Sequence, residues 1–352
     1  MENPLGQRLR ELPGPLLITG HTGFKGTWMT FLLDYLRVPV IGFSLPAEKD
    51  SLFDRAERIG MIPELFADVR DYDALEGFIN LHKPSTIIHM AAQPLVLKSY
   101  LNPLETFEVN VMGTANVLDI AFRKNFVKSI VIVTTDKVYK NDNSGDAFVE
   151  SDSLEGKDPY SASKVGTEAV VTAWQQIARI SGGPKVFSVR AGNVIGGGDF
   201  AENRIIPDLI RGVISGNPVF IRNQKSTRPW QHVLDPCIGY LMALEKSLTD
   251  FFPPNMNFGP QGKNLTVGEV TQIASQIFPR IKVSLEESDS HEQMESIFLN
   301  LNSSLSLEIL NWRPVFNQEE AVRMSFKWWE RFFYEKTKIR DLCISDIEKI
   351  LN

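Results

Sequence analysis

Short runs of apolar residues alternate with amphipathic stretches through the first half of the chain. Runs of adjacent apolar residues predict buried strands, and apolar residues that recur every three or four positions predict helices. The predicted strands are 16–19, 38–43, 65–67, 86–89, 129–133 and 186–189. The predicted helices between them are 24–36, 71–82, 104–123 and 161–180. Strands that alternate with helices of this length predict right-handed βαβ units, and therefore an α/β fold with a doubly wound parallel sheet.

A glycine-rich turn, with Gly20, Gly23 and Gly26 in the spacing G-x-x-G-x-x-G, follows the first strand and opens the first helix. In such a turn one glycine allows the bend, one lets the backbone approach a pyrophosphate, and one lets the helix pack against the strand. Its place in a βαβ series favours this function over an ordinary turn. For His21 and Lys25 the plain alternative is exposure at the surface. The residues predicted to bind a dinucleotide here are Gly20, Thr22, Gly23, Phe24, Lys25 and Gly26.

The alternation ends after Arg190, where residues 191–200 are rich in glycine. The elements predicted beyond them are a loop with a short strand at 253–260 and helices at 209–214, 237–246, 266–277 and 319–336. A chain of 352 residues is long for one domain. We therefore assign residues 1–189 to a dinucleotide-binding Rossmann domain and residues 190–352 to a smaller mixed α/β domain that binds the substrate. Segments such as 236–260 are expected to return to the Rossmann domain.

Three further segments are candidates for holding the dinucleotide. Ser44 ends the second strand, where a carboxylate would hold the ribose hydroxyls; without that charge NAD and NADP are not separated. Asp68, after the third strand, either accepts from the adenine amino group or caps the next helix, and its neighbour Val69 is included with it. Ala91 and Ala92 follow the fourth strand and complete the predicted set.

Composition and charge restrict the class of protein. Apolar residues make up 43% of the chain and charged residues 23%, as in an ordinary globular protein. The 37 basic and 43 acidic residues leave a net charge of -6, which does not favour nucleic acid or an anionic membrane as a partner. Cys237 and Cys343 form no disulfide framework, and no histidine or cysteine cluster has metal-ligand spacing. We therefore expect no bound metal. Because the apolar runs are too short for a membrane span and the first residues lack a secretory signal, we also expect a cytoplasmic protein.

Tyr160 and Lys164 lie one turn apart on the helix predicted after the fifth strand. Asp158 and Pro159 are predicted to start that helix as its N-cap and first residue. A free tyrosine has a pKa of ~10, too high for a base near neutral pH. A nearby ammonium and a positively charged nicotinamide ring favour the phenolate and are expected to lower that pKa. After a dinucleotide-binding turn, the pair indicates a catalytic base and its supporting lysine.

These motifs resemble the extended short-chain dehydrogenase/reductase superfamily and, within it, the CDP-glucose 4,6-dehydratases. The likeness to dehydratases rests chiefly on Thr135, Asp136 and Lys137. The likeness to the enzymes that act on CDP sugars rests on the segments GHTGFKG and RPWQHV. The segments concerned are GHTGFKGTW at 20–28, HMAAQP at 89–94, TTDKVY at 134–139, YSASK at 160–164, RAGNVIGGGD at 190–199 and RPWQHVLD at 228–235.

The resemblance implies conversion of CDP-glucose to CDP-4-keto-6-deoxyglucose and water, with NAD, in deoxysugar and polysaccharide biosynthesis. The C5 proton of a hexose is not acidic until C4 becomes a ketone. Hydride therefore leaves C4 for the nicotinamide while Tyr160 takes the O4 proton and Thr135 hydrogen-bonds O4. Water is then eliminated across C5 and C6, and hydride returns to C6.

Elimination needs an acid and a base in addition to the tyrosine, and the resemblance assigns these roles to Asp136 and Lys137. In related dehydratases the pair is Asp–Glu, with the aspartic acid protonating the leaving hydroxyl and the glutamate taking the C5 proton. Lys137 replaces that glutamate here. Asp136 then needs a raised pKa and Lys137 a lowered one. The alternative is an ion pair between the two on a loop.

Five residues are predicted to hold the substrate. Gln93 either faces the hexose or is a loop amide. Asn193 and Arg228, with help from Arg204, are expected to bind the diphosphate, because a guanidinium matches phosphate oxygens bidentately. His232 either brackets the nucleobase or packs in the core. Asn110 is not one of the five; it either orders water toward the catalytic lysine or satisfies backbone groups.

The superfamily usually pairs subunits through the helices that follow strands four and five, here 104–123 and 161–180. A homodimer is therefore expected, with a homotetramer left open. The same fold also serves nucleotide-sugar 4-epimerases, which need Tyr160 and Lys164 but no acid/base pair at C5 and C6. The motifs would also fit a dehydratase for a dTDP, GDP or UDP hexose and, less well, a catalytically silent nucleotide-sugar binder.

Overall fold

The computed structural model of the chain describes residues 3–142, 144–201, 204–221, 224–249, 251–285 and 299–351. The strands are β1 Leu16–Thr19, β2 Val40–Ser44, β3 Glu64–Phe66, β4 Thr86–His89, β5 Ser129–Val133, β6 Ala147–Phe148, β7 Lys185–Ala191, β8 Val194–Ile195, β9 Val219–Ile221, β10 Thr227–Arg228, β11 Gln231–His232, β12 Asn255–Phe258, β13 Leu265–Thr266, β14 Val283–Leu285 and β15 Asn300–Leu301.

The α-helices are α1 Pro4–Arg10, α2 Phe24–Tyr35, α3 Leu52–Arg55, α4 Tyr72–His82, α5 Val96–Leu101, α6 Pro103–Phe107, α7 Gly113–Phe122, α8 Pro159–Ser181, α9 Ile205–Ser215, α10 Leu234–Ser247, α11 Val267–Ile277, α12 Ser304–Leu310, α13 Gln318–Glu330 and α14 Ile339–Leu351. Two π-helical stretches, Glu108–Met112 and Arg331–Glu335, and a 3₁₀ turn at Asp136–Val138 complete the described elements. No helix in the described ranges is long and apolar enough to cross a membrane.

The central sheet has seven parallel strands in the order β12-β7-β5-β4-β1-β2-β3. In the central strands, alternate residues bury against opposite layers of helices. On β1, for example, Leu17 joins a cluster with Leu75 of α4 and Val117 of α7, whereas Ile18 joins a cluster with Trp28 of α2. A sheet covered on both faces explains the near-continuous apolar strands. The predicted α/β fold with a doubly wound parallel sheet is confirmed.

Four short strand pairs lie outside the central sheet, and most of their strands come from the second half of the chain. These pairs are β8 with β11, β9 with β14, β10 with β13 and β6 with β15. The segment from α10 to β12 runs back to the central sheet, where β12 pairs with β7. The chain therefore contributes residues from both halves to the carboxyl edge of the parallel strands.

Several predicted elements differ from the structure. The helix predicted at 104–123 is interrupted by the π-helical stretch Glu108–Met112, where the N–H of Gly113 donates to the carbonyl of Glu108. Helices α1 and α14 were not predicted. On α14 the buried Leu342, Cys343 and Ile347 contact the layer that contains α2, so tertiary packing rather than a strong local pattern stabilises this helix.

Candidate active site

The glycine turn has backbone geometry that side chains would prevent. Gly20 has a φ of +76°, and a Cβ on it would lie 2.7 Å from the backbone nitrogen of Ala91. A Cβ on Gly26 would lie 2.2 Å from the carbonyl oxygen of Gly20. Both glycines are required, the first for the bend and the second for the close approach of α2 to the turn.

Helix α2 begins at Phe24 with Gly23 as its N-cap, and no side chain caps its first turn. The first backbone N–H groups of a helix have no partner within the helix, and together with the helix dipole they favour an anion. Gly23 is exposed, so a phosphate could approach this end of the helix closely. The turn therefore fits the pyrophosphate of a dinucleotide.

Ser44 is connected directly to this turn. Its hydroxyl lies 2.7 Å from the hydroxyl of Thr22, which also lies 3.0 Å from the carbonyl oxygen of Leu45. The two predicted cofactor residues are thus adjacent, and the end of β2 presents hydroxyl groups in place of the usual carboxylate.

The alternative in which His21 is exposed at the surface is wrong. The ring is fully buried, and its Nε2 lies 2.8 Å from Oε2 of Glu64 at the start of β3. A Cβ on Gly42 would touch the ring at 2.6 Å, so the glycine in β2 leaves room for the imidazole. Burial lowers the pKa of His21, and the Glu64 carboxylate opposes that shift.

Asp68 does not cap the next helix. The N-cap of α4 is Asp71, whose carboxylate accepts from the backbone N–H of Ala74 over 3.0 Å. Asp68 instead accepts from the guanidinium of Arg70 over 2.8 Å, and this hydrogen bond lowers the pKa of the Asp68 carboxyl. Among the other residues predicted to bind the cofactor, Val69 is buried, and Ala91 and Ala92 are half-buried.

Tyr160 and Lys164 lie on the buried face of α8, whose start has the predicted N-cap Asp158 and first residue Pro159. Burial raises the pKa of Tyr160 to about 12; the Thr135 hydroxyl opposes this shift and the Asp136 charge adds to it. The polypeptide alone therefore does not lower the pKa of Tyr160 as the sequence predicted, because the effect of burial is larger than that of the nearby groups.

Lys164 Nζ donates to the carbonyl oxygen of Val133, at the end of β5, over 3.2 Å. Burial lowers the pKa of Lys164 to about 8, and the positive charge of Lys25 adds to that shift. The carboxylate of Glu168, one turn further along α8, raises it. The lysine is thus fixed between the sheet and the phosphate turn.

Asp136 is only 1% exposed and belongs to the 3₁₀ turn that follows β5. Its Oδ1 accepts from the Thr135 hydroxyl over 2.9 Å, whereas its buried Oδ2 has no hydrogen-bond partner among the described residues. Burial raises the pKa of Asp136 to about 6, and the charges of Lys137 and Arg228 reduce that shift. A protonated carboxyl at this position has an oxygen available to donate.

The ion pair considered for Asp136 and Lys137 is not formed as a direct contact, since neither carboxylate oxygen has the Lys137 ammonium as a partner. Lys137 is half-buried, and its backbone N–H donates to the Thr135 hydroxyl over 3.3 Å. The two side chains therefore remain available for separate roles at the end of β5.

Asn110 and Gln93 form a buried amide cluster. Asn110 Oδ1 accepts from the Gln93 backbone N–H over 2.8 Å, and its Nδ2 donates to the Ser163 hydroxyl over 2.8 Å. The Gln93 side chain donates to Thr106 Oγ1 over 3.0 Å and accepts from the N–H of Leu95 over 2.7 Å. Asn110 thus takes the second role that the sequence left open for it, satisfying local polar groups. Gln93 belongs to the same cluster, and its contact with a hexose stays a prediction.

The predicted diphosphate residues lie close to the catalytic residues. Arg204 pairs with Asp199 over 3.2 Å and contributes a positive charge at Tyr160. Arg228 contributes a positive charge at Asp136, and its Nη1 donates to the carbonyl oxygen of Thr227 over 2.8 Å. Pairing of β8 with β11 brings the segment after Asn193 next to the segment after Arg228.

His232 is a correction to the predicted substrate set. Its ring is 0% exposed and packs edge-on against Trp28 and Phe316, with centroid distances of 5.8 and 5.9 Å. Nε2 lies 3.8 Å from Oδ2 of Asp346 on α14. Because the imidazole is enclosed by the core, it cannot bracket a nucleobase in this structure, and burial lowers its pKa to about 3.

Two further residues at the site, Tyr240 and Glu168, were not identified from the sequence. Tyr240 is fully buried on α10, and its hydroxyl accepts from Lys25 Nζ over 3.2 Å. Tyr240 belongs to no motif and lies far along the chain, so no sequence signal indicated it. Glu168 follows Lys164 by one helical turn, and that spacing alone could have suggested it.

The chain belongs to the NAD dependent epimerase/dehydratase family, whose model matches residues 16–259. It is 36% identical to the CDP-glucose 4,6-dehydratase of Salmonella typhimurium over 89% of both chains. A dTDP-glucose 4,6-dehydratase of Haemophilus influenzae is 24% identical over 89% of this chain and 97% of its own.

Solved structures share the fold. The dTDP-glucose 4,6-dehydratase of Streptomyces venezuelae, solved with NAD, superposes with a TM-score of 0.76 and 24% identity, over 92% of this chain and 99% of that one. The UDP-glucose 4-epimerase of Thermus thermophilus, also solved with NAD, gives a TM-score of 0.76 and 22% identity, over 89% and 98% of the two chains.

Proposed function

We propose that this chain catalyses the NAD-dependent dehydration of CDP-glucose to CDP-4-keto-6-deoxyglucose. The observation that carries the proposal is the buried Asp136 carboxyl, bonded to Thr135 on one oxygen and without a described partner on the other. An acid of this kind is needed for elimination. The identity of 36% over 89% of the chain with a CDP-glucose 4,6-dehydratase supports the choice of substrate.

The glycine turn, the uncapped start of α2 and the Thr22–Ser44 hydroxyl pair would hold the dinucleotide, with Asp68, Val69, Ala91 and Ala92 at its adenine and ribose side. Bound NAD would supply the acceptor for the C4 hydride and the source of the hydride that C6 receives. The end of β2 at Ser44 has no carboxylate that would reject the 2′-phosphate of NADP. The family description and the NAD complexes of the neighbouring structures support NAD.

Tyr160 would take the O4 proton, with Thr135 holding O4 beside it. Burial keeps the pKa of this tyrosine at about 12, so the phenol remains protonated until a positive charge is close to it. The nicotinamide ring of the cofactor would supply that charge, so loss of the Tyr160 proton would coincide with cofactor binding. Lys164, fixed on the Val133 carbonyl, would hold the cofactor ribose and orient the site.

Asp136 would protonate the departing C6 hydroxyl, and Lys137 would take the C5 proton. The raised pKa of Asp136, about 6, keeps a usable fraction of the acid form near neutral pH. The role of Lys137 follows from its replacement of the glutamate base of related dehydratases. Gln93, Asn193, Arg204 and Arg228 would hold the hexose and the diphosphate.

A nucleotide-sugar 4-epimerase is the second candidate, because a UDP-glucose 4-epimerase shares the fold with a TM-score of 0.76. Epimerisation uses the tyrosine and lysine but requires no acid for a C6 hydroxyl. A buried carboxyl that is held next to the reactive tyrosine therefore favours dehydration.

The division into a cofactor domain at 1–189 and a nucleotide-sugar domain at 190–352 is part of the proposal. A homodimer is its other part, supported by exposed apolar side chains at and beside the predicted pairing helices. Leu101, Leu104 and Ile180 are 80%, 72% and 84% exposed. The cytoplasmic setting stays a prediction, supported by the buried free thiols of Cys237 and Cys343.

The test is mass spectrometry of the products after purified protein is incubated with NAD and, separately, CDP-, dTDP-, GDP- or UDP-glucose. Loss of one water from the CDP sugar alone is the expected result. Loss of water from another nucleotide would retain the mechanism and overturn the substrate. An isomer of unchanged mass would make the protein an epimerase. No change with any sugar would favour a silent binder.

A further inference from the structure

Glu168 and Arg190 form a buried ion pair near the proposed catalytic residues. Glu168 Oε1 and Oε2 each accept from the guanidinium of Arg190, over 2.9 Å in both cases. The two side chains are 5% and 2% exposed. Bidentate geometry with complete burial makes this one of the strong charge-assisted contacts in a protein, provided that the remaining donors and acceptors are also satisfied.

The remaining partners of Glu168 are one hydroxyl directly after β5 and one on β7. Oε1 accepts from the hydroxyl of Thr134 over 2.6 Å, and Oε2 accepts from the hydroxyl of Ser188 over 2.7 Å. Thr134 immediately precedes Thr135 and the 3₁₀ turn. One carboxylate thus connects α8, which carries Tyr160 and Lys164, to the segment that carries Thr135 and Asp136.

Arg190 extends the connection on its other side. Its Nη1 donates to the hydroxyl of Tyr139 over 2.9 Å, and that hydroxyl donates to Oδ1 of Asn257 over 2.7 Å. Tyr139 ends the segment TTDKVY, and Arg190 lies just before Asn193. The pair therefore contacts the chain on both sides of the catalytic turn and at the start of the predicted diphosphate loop.

We propose that Glu168 is a positioning residue for the dehydration, which fixes the distance between the Tyr160–Lys164 face of α8 and the Thr135–Asp136 turn through Thr134 and Arg190. This inference rests on the proposed function. Separate segments that must meet a reacting sugar within a fraction of an ångström need such a rigid connection.

Glu168 also acts on the lysine through its charge. The charged or titratable groups that face Lys164 are Lys25 from α2, His89 from β4 and Glu168 from α8 itself. Lys25 lowers the pKa of Lys164 and Glu168 raises it, whereas His89 is held neutral by burial, with a pKa of about 3. Removal of the Glu168 charge therefore moves the titration of Lys164 to lower pH.

The decisive experiment compares Glu168→Gln, Glu168→Asp and the double variant Glu168→Gln/Arg190→Gln with the wild-type protein. The double variant removes both charges, so no unpaired ion stays buried. Two readouts are used. The first is kcat and KM for CDP-glucose as a function of pH. The second is the pH dependence of Lys164 acetylation by acetic anhydride, followed by peptide mass spectrometry, which needs no turnover.

We expect the double variant to fold and to lose about tenfold or more in kcat, with KM for CDP-glucose nearly unchanged. Its Lys164 titration should move to lower pH, because the Glu168 charge that raises the pKa of Lys164 is gone. Glu168→Asp should keep the titration near that of the wild type while kcat falls, because the charge remains and the shorter side chain cannot keep all four hydrogen bonds to Thr134, Ser188 and Arg190.

Thr134→Val tests the hydrogen bond between Thr134 and Glu168 alone. The matched control is Ser129→Ala, which removes another buried hydroxyl, on β5, that bonds the hydroxyl of Ser247. Thr134→Val should lower kcat and Ser129→Ala should not. Wild-type kcat and an unchanged Lys164 titration in the folded double variant would overturn the inference. A wild-type protein that dehydrates no nucleotide sugar would instead overturn the proposed function, while the acetylation result would still test the effect of Glu168 on Lys164.

Discussion

The hydroxyl of Thr135 donates to Oδ1 of Asp136 over 2.9 Å, which leaves Oδ2 of the same carboxyl buried and without a partner among the described residues. The arrangement gives each oxygen a different role. Oδ1 is held next to the tyrosine side of the site by Thr135, and Oδ2 can carry the proton that a leaving hydroxyl requires. Burial, which raises the pKa of Asp136 to about 6, favours that proton.

Asp136→Asn should separate the two halves of the reaction. The amide keeps the shape of the carboxyl but cannot donate a proton to the leaving group as an acid does. We expect product formation to fall by about 10²–10⁴-fold, while oxidation at C4 persists. Reduced nicotinamide should then accumulate on the protein, which its absorbance would reveal. A variant that still releases water at the wild-type rate would contradict the role of Asp136.

The same substitution should stabilise the protein at neutral pH. The folded pKa of Asp136 is raised from 3.8 to about 6, so the stabilisation that the protonated form contributes at low pH is lost as the pH rises through this interval. At pH 7 the Asn variant should be more stable by about 2–3 kcal/mol, and below pH 4 the difference should vanish. Urea unfolding of both proteins across this range is the measurement.

Tyr160→Phe should abolish the first step rather than the second. The ring is 9% exposed, so phenylalanine fills the same space and the fold should be retained. Turnover should fall by about 10²–10⁴-fold, and no reduced nicotinamide should appear. The contrast with Asp136→Asn, where it accumulates, assigns the two residues to different steps. Appearance of reduced nicotinamide in the Phe variant would show that another group takes the O4 proton.

Gly197→Ala and Gly77→Ala form a matched pair for stability. A Cβ on Gly197 would lie 2.0 Å from the indole of Trp328, whereas a Cβ on Gly77, on α4, meets no atom within 4 Å. The first should destabilise the protein by about 3 kcal/mol or more, and the second should stabilise it by about 0.5–1 kcal/mol. Thermal unfolding would decide, and equal effects would mean that α13 can move away from the glycine loop.

His232→Asn tests the corrected role of this histidine. Because the ring is enclosed by Trp28, Phe316 and α14, the variant should lose about 1–3 kcal/mol of stability, with KM for CDP-glucose within about threefold of the wild type. The folded pKa of His232 is lowered to about 3, so the stability due to the neutral ring is lost as pH falls below 6.5. The variant should accordingly be less acid-sensitive, and a large change in KM alone would return His232 to the substrate site.

Local patterns in the sequence were enough for the elements and the motifs. Apolar runs identified β1, β4 and β5 at their observed bounds, and the glycine spacing identified the turn before α2. The capping of α8 by Asp158 was also predicted, because an N-cap depends on residues close together in the chain. These features depend on residues that are close together in the chain, so a single sequence is sufficient to predict them.

Which of these side chains are buried together depends on how the helices and the sheet pack. Packing enclosed His21 and His232, raised rather than lowered the pKa of Tyr160, and joined Glu168 to Arg190 across two elements. Burial and long-range pairing depend on how separate elements pack, and the desolvation that sets these pKa values exists only after packing. Local patterns therefore predict the fold and the reactive residue types, whereas packing sets the protonation and the relative position of those residues.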